Sequence, residues 1–221
     1  MDDLESGGEV IRQTLRELER INEFLGGNHV TISGIKKLVE KDKNKTWKIV
    51  DVGCGGGEIL KLIANYGRKK DVKMDLVGID ANPNVIAYAE ENCVDYPEIR
   101  FQAVNIFGSE FREEDFDILT ATLFLHHFTD DQLIGMFEQY RQQAKVGIVI
   151  NDIHRHWLAH RSINLLTSLF SKSEMVKNDA GVSVLRSFRR FDWIKILGSA
   201  GIHGYSLRWM WAFRWQLIIR T

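Results

Sequence analysis

Apolar residues recur along Val10–Leu25 at Ile11, Leu15, Leu18, Ile21 and Leu25. This is the i, i+4, i+7 rhythm of an amphipathic helix, and Gly26-Gly27 are suited to close it. A second helical stretch, Ile32–Lys41, leads into the polar run KDKNK, which reads as a solvated turn. From Trp47 onward short apolar runs alternate with helical periods. WKIVDVG reads as a buried strand, Glu58–Tyr66 as a helix and MDLVGID as a second strand. Pro83–Asn92 follows as a helix with its proline in the first turn, where a missing N–H costs nothing. IRFQAVN and FDILTAT are a third and fourth strand, Asp130–Gln143 a helix and VGIVIN a fifth strand. Strands separated by single helices imply parallel βαβ units and a doubly wound sheet. Beyond Asn151, Arg155–Phe170 reads as a helix, SKSEMVKNDAGVS as a polar loop and Arg190–Ala200 as another helix. Two last strands, His203–Trp209 and Phe213–Arg220, are joined so closely that they must form an antiparallel hairpin.

Composition narrows the class. A chain of 221 residues suits one α/β domain with a substantial core. Its 29 basic and 30 acidic residues leave a net charge of -1, without the basic surplus that nucleic-acid binding usually brings. Two cysteines, Cys54 and Cys93, make no disulfide framework and suit a reducing cytoplasm. The acidic beginning, MDDLESGGEV, has no apolar core of a signal peptide. No apolar stretch approaches the ~20 residues that a membrane span needs. The expectation is a soluble, cytoplasmic α/β protein.

The segment IVDVGCGGGEIL places Gly53, Gly55 and Gly57 where a buried strand turns into a helix. In open α/β sheets ligands bind outside the carboxyl ends of the strands, and missing Cβ atoms let a ligand approach the amides. A dinucleotide fingerprint would need its third glycine at position 58, which is Glu58, a poor neighbour for pyrophosphate. No Gly-Lys-Ser/Thr follows, so a P-loop is excluded. Asp80 closes the second strand at the distance from the glycines where a carboxylate meets a ribose diol. It could instead cap the next helix, a role open to Asn82 as well. Asn105 closes the third strand, either to grip an adenine edge or simply to form a turn.

Together, D-x-G-x-G-x-G, the acidic end of strand two, the polar end of strand three and the FD-strand followed by LHHF resemble the class I S-adenosylmethionine-dependent methyltransferases. Within them the chain is most similar to the small-molecule branch typified by ubiquinone and menaquinone biosynthesis. The resemblance is good over about residues 47–150 and extends to the terminal hairpin. It implies a Rossmann-like, seven-stranded, mostly parallel sheet with an antiparallel last strand and helices on both faces. By the same resemblance S-adenosyl-L-methionine is the cofactor. Asp51, Gly53, Cys54, Gly55 and Gly57 would hold its methionine part, Asp80 its ribose, with Ala81 and Asn82 nearby. Asn105 and Ile106 would flank the adenine, and Thr122 and Leu123 the sulfonium. The domain plan is an N-terminal helical cap over 1–45 and a methyltransferase domain over 46–221, with a helical substrate lid inserted at about 154–190.

Methyl transfer to a hydroxyl needs alignment and a base, and histidine titrates near neutrality. His126, His154 and His156 are the catalytic candidates, with His127 as a loop brace. His156 and His160 have a metal-binding spacing, but no acidic or thiol ligand completes it, so no metal is expected. The lid carries more apolar residues (Trp157, Leu158, Ile163, Leu165, Leu166, Leu169, Phe170, Met175) than one buried face requires. The surplus points to a pocket for an aromatic or apolar small molecule. Arg186, Arg189 and Arg190 either pair with an acidic substrate or face solvent. The expected reaction is O-methylation of a phenol, quinol or polyketide-like hydroxyl. Carbon methylation of an activated ring, an RNA or protein methyltransferase, and a non-catalytic cofactor-binding protein are the alternatives. A DNA amino-methyltransferase is disfavoured because the strand-four end reads TLFL, without prolines. The N-terminal helices either cover the cofactor or form a homodimer contact.

Overall fold

The computed structural model describes residues 8–39, 44–171 and 173–221. The acidic first residues and most of the KDKNK run lie outside them. Two helices come first, α1 (Gly8–Phe24) and α2 (Gly27–Leu38). The alternating region follows as β1 (Thr46–Val52), α3 (Glu58–Lys70), β2 (Lys73–Asp80), α4 (Pro83–Asn92), β3 (Ile99–Ala103), α5 (Ser109–Arg112), β4 (Phe116–Thr122), α6 (Asp130–Gln143) and β5 (Ala144–Ile153). The last third holds α7 (Trp157–Phe170), α8 (Glu174–Arg186), α9 (Arg190–Ser199), β6 (Tyr205–Met210) and β7 (Arg214–Arg220).

The seven strands lie in the order β3-β2-β1-β4-β5-β7-β6. Strand β7 runs antiparallel between β5 and β6, and the rest are parallel, as expected from the hairpin. Successive residues of the central strands serve opposite faces, so both faces are apolar. Val50, Leu119, Ile148 and Ile150 join Phe137, Trp193 and Leu197 in one core. Ile49, Ile118 and Val149 join Leu60, Ile63, Ile35 and Leu38 in the other.

Two sequence expectations are corrected. The second helix begins at Gly27, not Ile32, because Gly26 alone makes the break in a left-handed conformation (φ 69°). Helix α2 then lies on the sheet, where Gln216 Nε2 donates to the Val30 carbonyl (2.6 Å) and Asn151 Nδ2 to Thr31 Oγ1 (3.0 Å). The supposed polar loop SKSEMVKNDAGVS is mostly helix α8. Ser173 Oγ caps it by accepting from the Val176 N–H, and buried Val176 and Val184, with Ala180 between them, form a narrow i, i+4, i+8 stripe. The stripe is too thin to stand out against the lysine, asparagine and aspartate around it.

Candidate active site

Strand β1 ends at the glycine turn. Gly53, Gly55 and Gly57 all have positive φ (67°, 53° and 82°). A Cβ at Gly53 would overlap the Phe124 ring, and one at Gly57 would lie 2.7 Å from Cys93 Sγ. The first constraint fits the turn to the segment after β4, and the second seats it on α4. Gly53 and Cys54 N–H both donate to the Ile79 carbonyl (2.8 and 3.1 Å), tying the turn to the end of β2. Above Gly55 the nearest side chain is Leu15 of α1, with its Cδ2 3.8 Å from where a Cβ would stand. Helix α1 therefore passes over the glycine turn, and Ile11 and Leu15 pack with Val85 and Tyr88 of α4.

Three carboxyls gather here. Asp51 is buried, and its Oδ1 has no hydrogen-bond partner among the described residues. Burial, then the fields of Glu58 and Asp80, push it well above the usual carboxylate range. Glu58 rises to about 7, first through burial and then through Glu19 of α1. Asp80 is also raised by burial, although the backbone N–H groups of Asn82, Gly55 and Ala81 donate to it. Such an orphaned, crowded acidic site fits a ligand that brings positive charge and hydrogen-bond donors. Asp80 Oδ1 accepts from the Asn82 N–H (2.9 Å), while Asn82 Oδ1 caps α4 by accepting from Asn84 (2.8 Å). Asn105 is exposed and folds its Oδ1 back onto the Phe107 N–H (3.0 Å), the turn geometry weighed for it; Ile106 beside it is buried.

Strand β4 ends on the same rim. Thr122 Oγ1 meets Thr31 Oγ1 of α2 at 2.7 Å. Leu123 has a left-handed φ of 57°, costly for a branched side chain, and its N–H donates to the Asn151 carbonyl (2.8 Å). This local strain turns the chain toward His126.

His126 is buried, and its Nδ1 lies 2.8 Å from Asp152 Oδ1 at the end of β5. Asp152 Oδ2 also accepts from the Leu125 N–H (2.9 Å). Burial alone would raise Asp152, yet His126, the Ile153 N–H and Arg214 hold it below the usual carboxylate range. His126 and the adjacent His127 (ring centroids 4.3 Å apart) form part of the wall of a cavity of about 300 Å³. Leu18, Ile21 and Leu25 close it from the α1 side, and Ile163, Leu166 and Val184 from α7 and α8. Trp211, Phe213 and Arg214 of the terminal hairpin complete it, and Leu123 lines it beside Phe124, whose ring meets Gly53. The N-terminal helix thus covers the crevice and the cavity together.

The other two histidine candidates are placed elsewhere. His154 Nδ1 accepts from Trp209 Nε1 (3.2 Å), and burial, then His156 and Arg189, lower its pKa. His156 Nδ1 caps α7 by accepting from Leu158 N–H, with its ring stacked on Phe213. Neither lines the cavity, and neither do Arg186, Arg189 or Arg190. Of the lid's apolar surplus only Ile163 and Leu166 do; Trp157, Leu158, Leu165 and Leu169 are exposed, and the side chains of Phe170 and Met175 lie outside the described residues. Trp157, Trp209 and Trp211 stand exposed around the hairpin and the start of α7. Two important residues escaped sequence reasoning, Asp152 and Arg214. Each is a charge near the end of a largely apolar strand, and that is the available signal.

Residues 49–147 match the family described as Methyltransferase domain. Among curated proteins, 89 residues are 33% identical to the ubiquinone biosynthesis O-methyltransferase of Methylococcus capsulatus, covering 38% of this chain and 33% of that protein. A further 138 residues are 26% identical to the phosphoethanolamine N-methyltransferase of Plasmodium falciparum, covering 59% of this chain and 50% of that one. The chain thus spans a third to a half of the curated relatives it matches. Among solved structures, the plantazolicin methyltransferase BpumL, in complex with a triazolic desmethyl analogue and SAH, has a TM-score of 0.68 at 15% identity, with 96% of this chain and 90% of that one covered.

Proposed function

We propose that this chain, whose residues 49–147 match the methyltransferase domain family and whose fold matches that of a solved methyltransferase, is a class I S-adenosylmethionine-dependent methyltransferase that moves a methyl group onto the acidic hydroxyl of a small apolar molecule. The observation that carries the reading is the buried His126–Asp152 pair, whose histidine lines an apolar cavity together with Leu123, the neighbour of the Phe124 ring that packs on Gly53.

Asp51 and the turn from Gly53 through Cys54 and Gly55 to Gly57 would hold the methionine part of S-adenosylmethionine, with Asp80 and Ala81 at the ribose. Thr122 and Leu123 would border the sulfonium, and Ile106 the adenine. When bound, that cofactor supplies an electrophilic methyl group. The chain's own residues do the rest. Asp152 accepts a hydrogen bond from the His126 Nδ1–H, which fixes the tautomer and leaves Nε2 to receive the acceptor's hydroxyl proton. Helices α1, α7 and α8 exclude water and align the acceptor, an effect that can be worth roughly 7–11 kcal/mol in ideal cases. His154 and His156, occupied outside the cavity, serve its outer frame. The M. capsulatus relative, by its name an O-methyltransferase, supports oxygen as the acceptor atom.

Calorimetry tests the cofactor half: S-adenosylmethionine and its demethylated product should bind, and NADH should not. Binding of NADH alone would sink the assignment.

A further inference from the structure

Arg214 opens β7, the antiparallel strand whose register with β5 sets it opposite Ile153, one residue beyond Asp152. It is buried, and it is the only lysine or arginine among the described residues that line the cavity. Its Nη2 donates to Asn22 Oδ1 of α1 (3.0 Å), and its Nη1 has no hydrogen-bond partner. A guanidinium held in apolar surroundings with an idle donor is costly unless a ligand completes it. Burial lowers its pKa to about 10, against the field of Asp152, so it remains cationic at neutral pH.

Arg214 and Asp152 are buried opposite charges that offset each other beside His126. The other ionisable wall groups are His127, beside His126, and Asp179 of α8.

We propose that Arg214 is a specificity-determining residue that binds an oxyanion on an otherwise apolar substrate, in the sector of the cavity it shares with His126 and Asn22. This rests on the proposed function and names its substrate class: an apolar body bearing one acidic oxygen group, either a carboxylate or an ionised phenol or enol. Asn22 orients the guanidinium, and the apolar walls strengthen its attraction for the anion.

The test uses the full chain saturated with S-adenosylhomocysteine and two matched probe pairs, 2-naphthoate against 2-naphthamide and 4-nitrophenolate against 4-nitroanisole. We expect at least one anion to bind tenfold or more tighter than its neutral twin, and the pair that shows it identifies the oxygen group. Arg214→Met should erase the preference with the affinity for the neutral probe unchanged, and Arg214→Lys should keep part of it. No preference in the wild-type protein, or a preference that survives in Arg214→Met, overturns the proposal. If Arg214→Met fails to fold, Arg214→Lys decides: an undiminished preference there also overturns it. Failure of S-adenosylhomocysteine itself to bind would count against the proposed function instead.

Discussion

Two buried aspartates stand at the carboxyl ends of strands on either side of β4, and they have opposite fates. Asp51, on β1, has an unpartnered oxygen and is pushed far up by burial and by two neighbouring acids. Asp152, on β5, is just as deeply buried, yet His126 and Arg214 hold it down. The difference is one of completeness. The Asp152 site is paired within the protein and serves as a rigid support for His126. The Asp51 carboxyl lacks a positive partner among the described residues, and under the proposed function the cationic cofactor supplies it. In that reading the paired Asp152 carboxylate marks a finished end of the crevice, and Asp51 a receptor end.

That contrast can be broken by substitution. The largest effect is expected at the finished end: Asp152→Asn should lower kcat by about 10²–10⁴ through misplacement of the His126 proton. It should also destabilise the fold by about 3–5 kcal/mol, because Arg214 loses its counter-charge. Turnover and chemical denaturation check both; an unaltered kcat would detach the pair from the reaction. Next, Asp80→Ala should weaken cofactor binding roughly 10–100-fold at unchanged stability, as expected for charge-assisted hydrogen bonds. Titration calorimetry measures it, and unchanged affinity removes Asp80 from the site.

Asp51→Asn should do the reverse of Asp152→Asn to the ligand-free protein. A carboxyl whose folded pKa is raised contributes stability at low pH and loses it as pH rises toward that pKa. Asparagine has no such loss, so this variant should melt higher than wild type at pH 8 while binding the cofactor more weakly. A lower melting temperature would contradict the picture of an uncompensated acid. The smallest effect concerns Glu58. Its pKa of about 7 against 4.5 for an ordinary glutamate means that stability should fall between about pH 4.5 and 7. Affinity for the cationic cofactor should rise over the same range. Glu58→Gln should flatten both slopes; slopes as steep as in wild type would show that another group titrates.

The receptor end was largely legible in the sequence because its parts are local. A glycine turn needs positive φ at successive alternate positions, and Asp51 and Asp80 close strands that their own apolar runs define. Even there, the alternatives weighed for Asn82 and Asn105 describe their present contacts, a helix cap and a turn. The finished end was not legible in the same way. His126 stands out in its motif, but Asp152 faces it because β5 lies beside β4, and Arg214 comes near Asp152 because β7 inserts between β5 and β6, neighbourhoods made by topology rather than by spacing. Helix α8 escaped because three small apolar residues mark its buried side. His154 and His156 were plausible by chemistry, and neighbouring aromatic rings and a helix terminus occupy them instead.

The terminal hairpin has an optical consequence. The six tryptophans divide evenly: Trp47, Trp193 and Trp215 are at most 5% exposed, whereas Trp157, Trp209 and Trp211 are 61%, 50% and 77% exposed. Buried indoles emit toward the blue and wetted ones toward the red, so the chain carries an internal reference and an internal probe. Trp211 also lines the cavity. An acceptor that settles there should dry that indole and shift the red part of the emission alone, so the protein reports occupancy of its own pocket without a label.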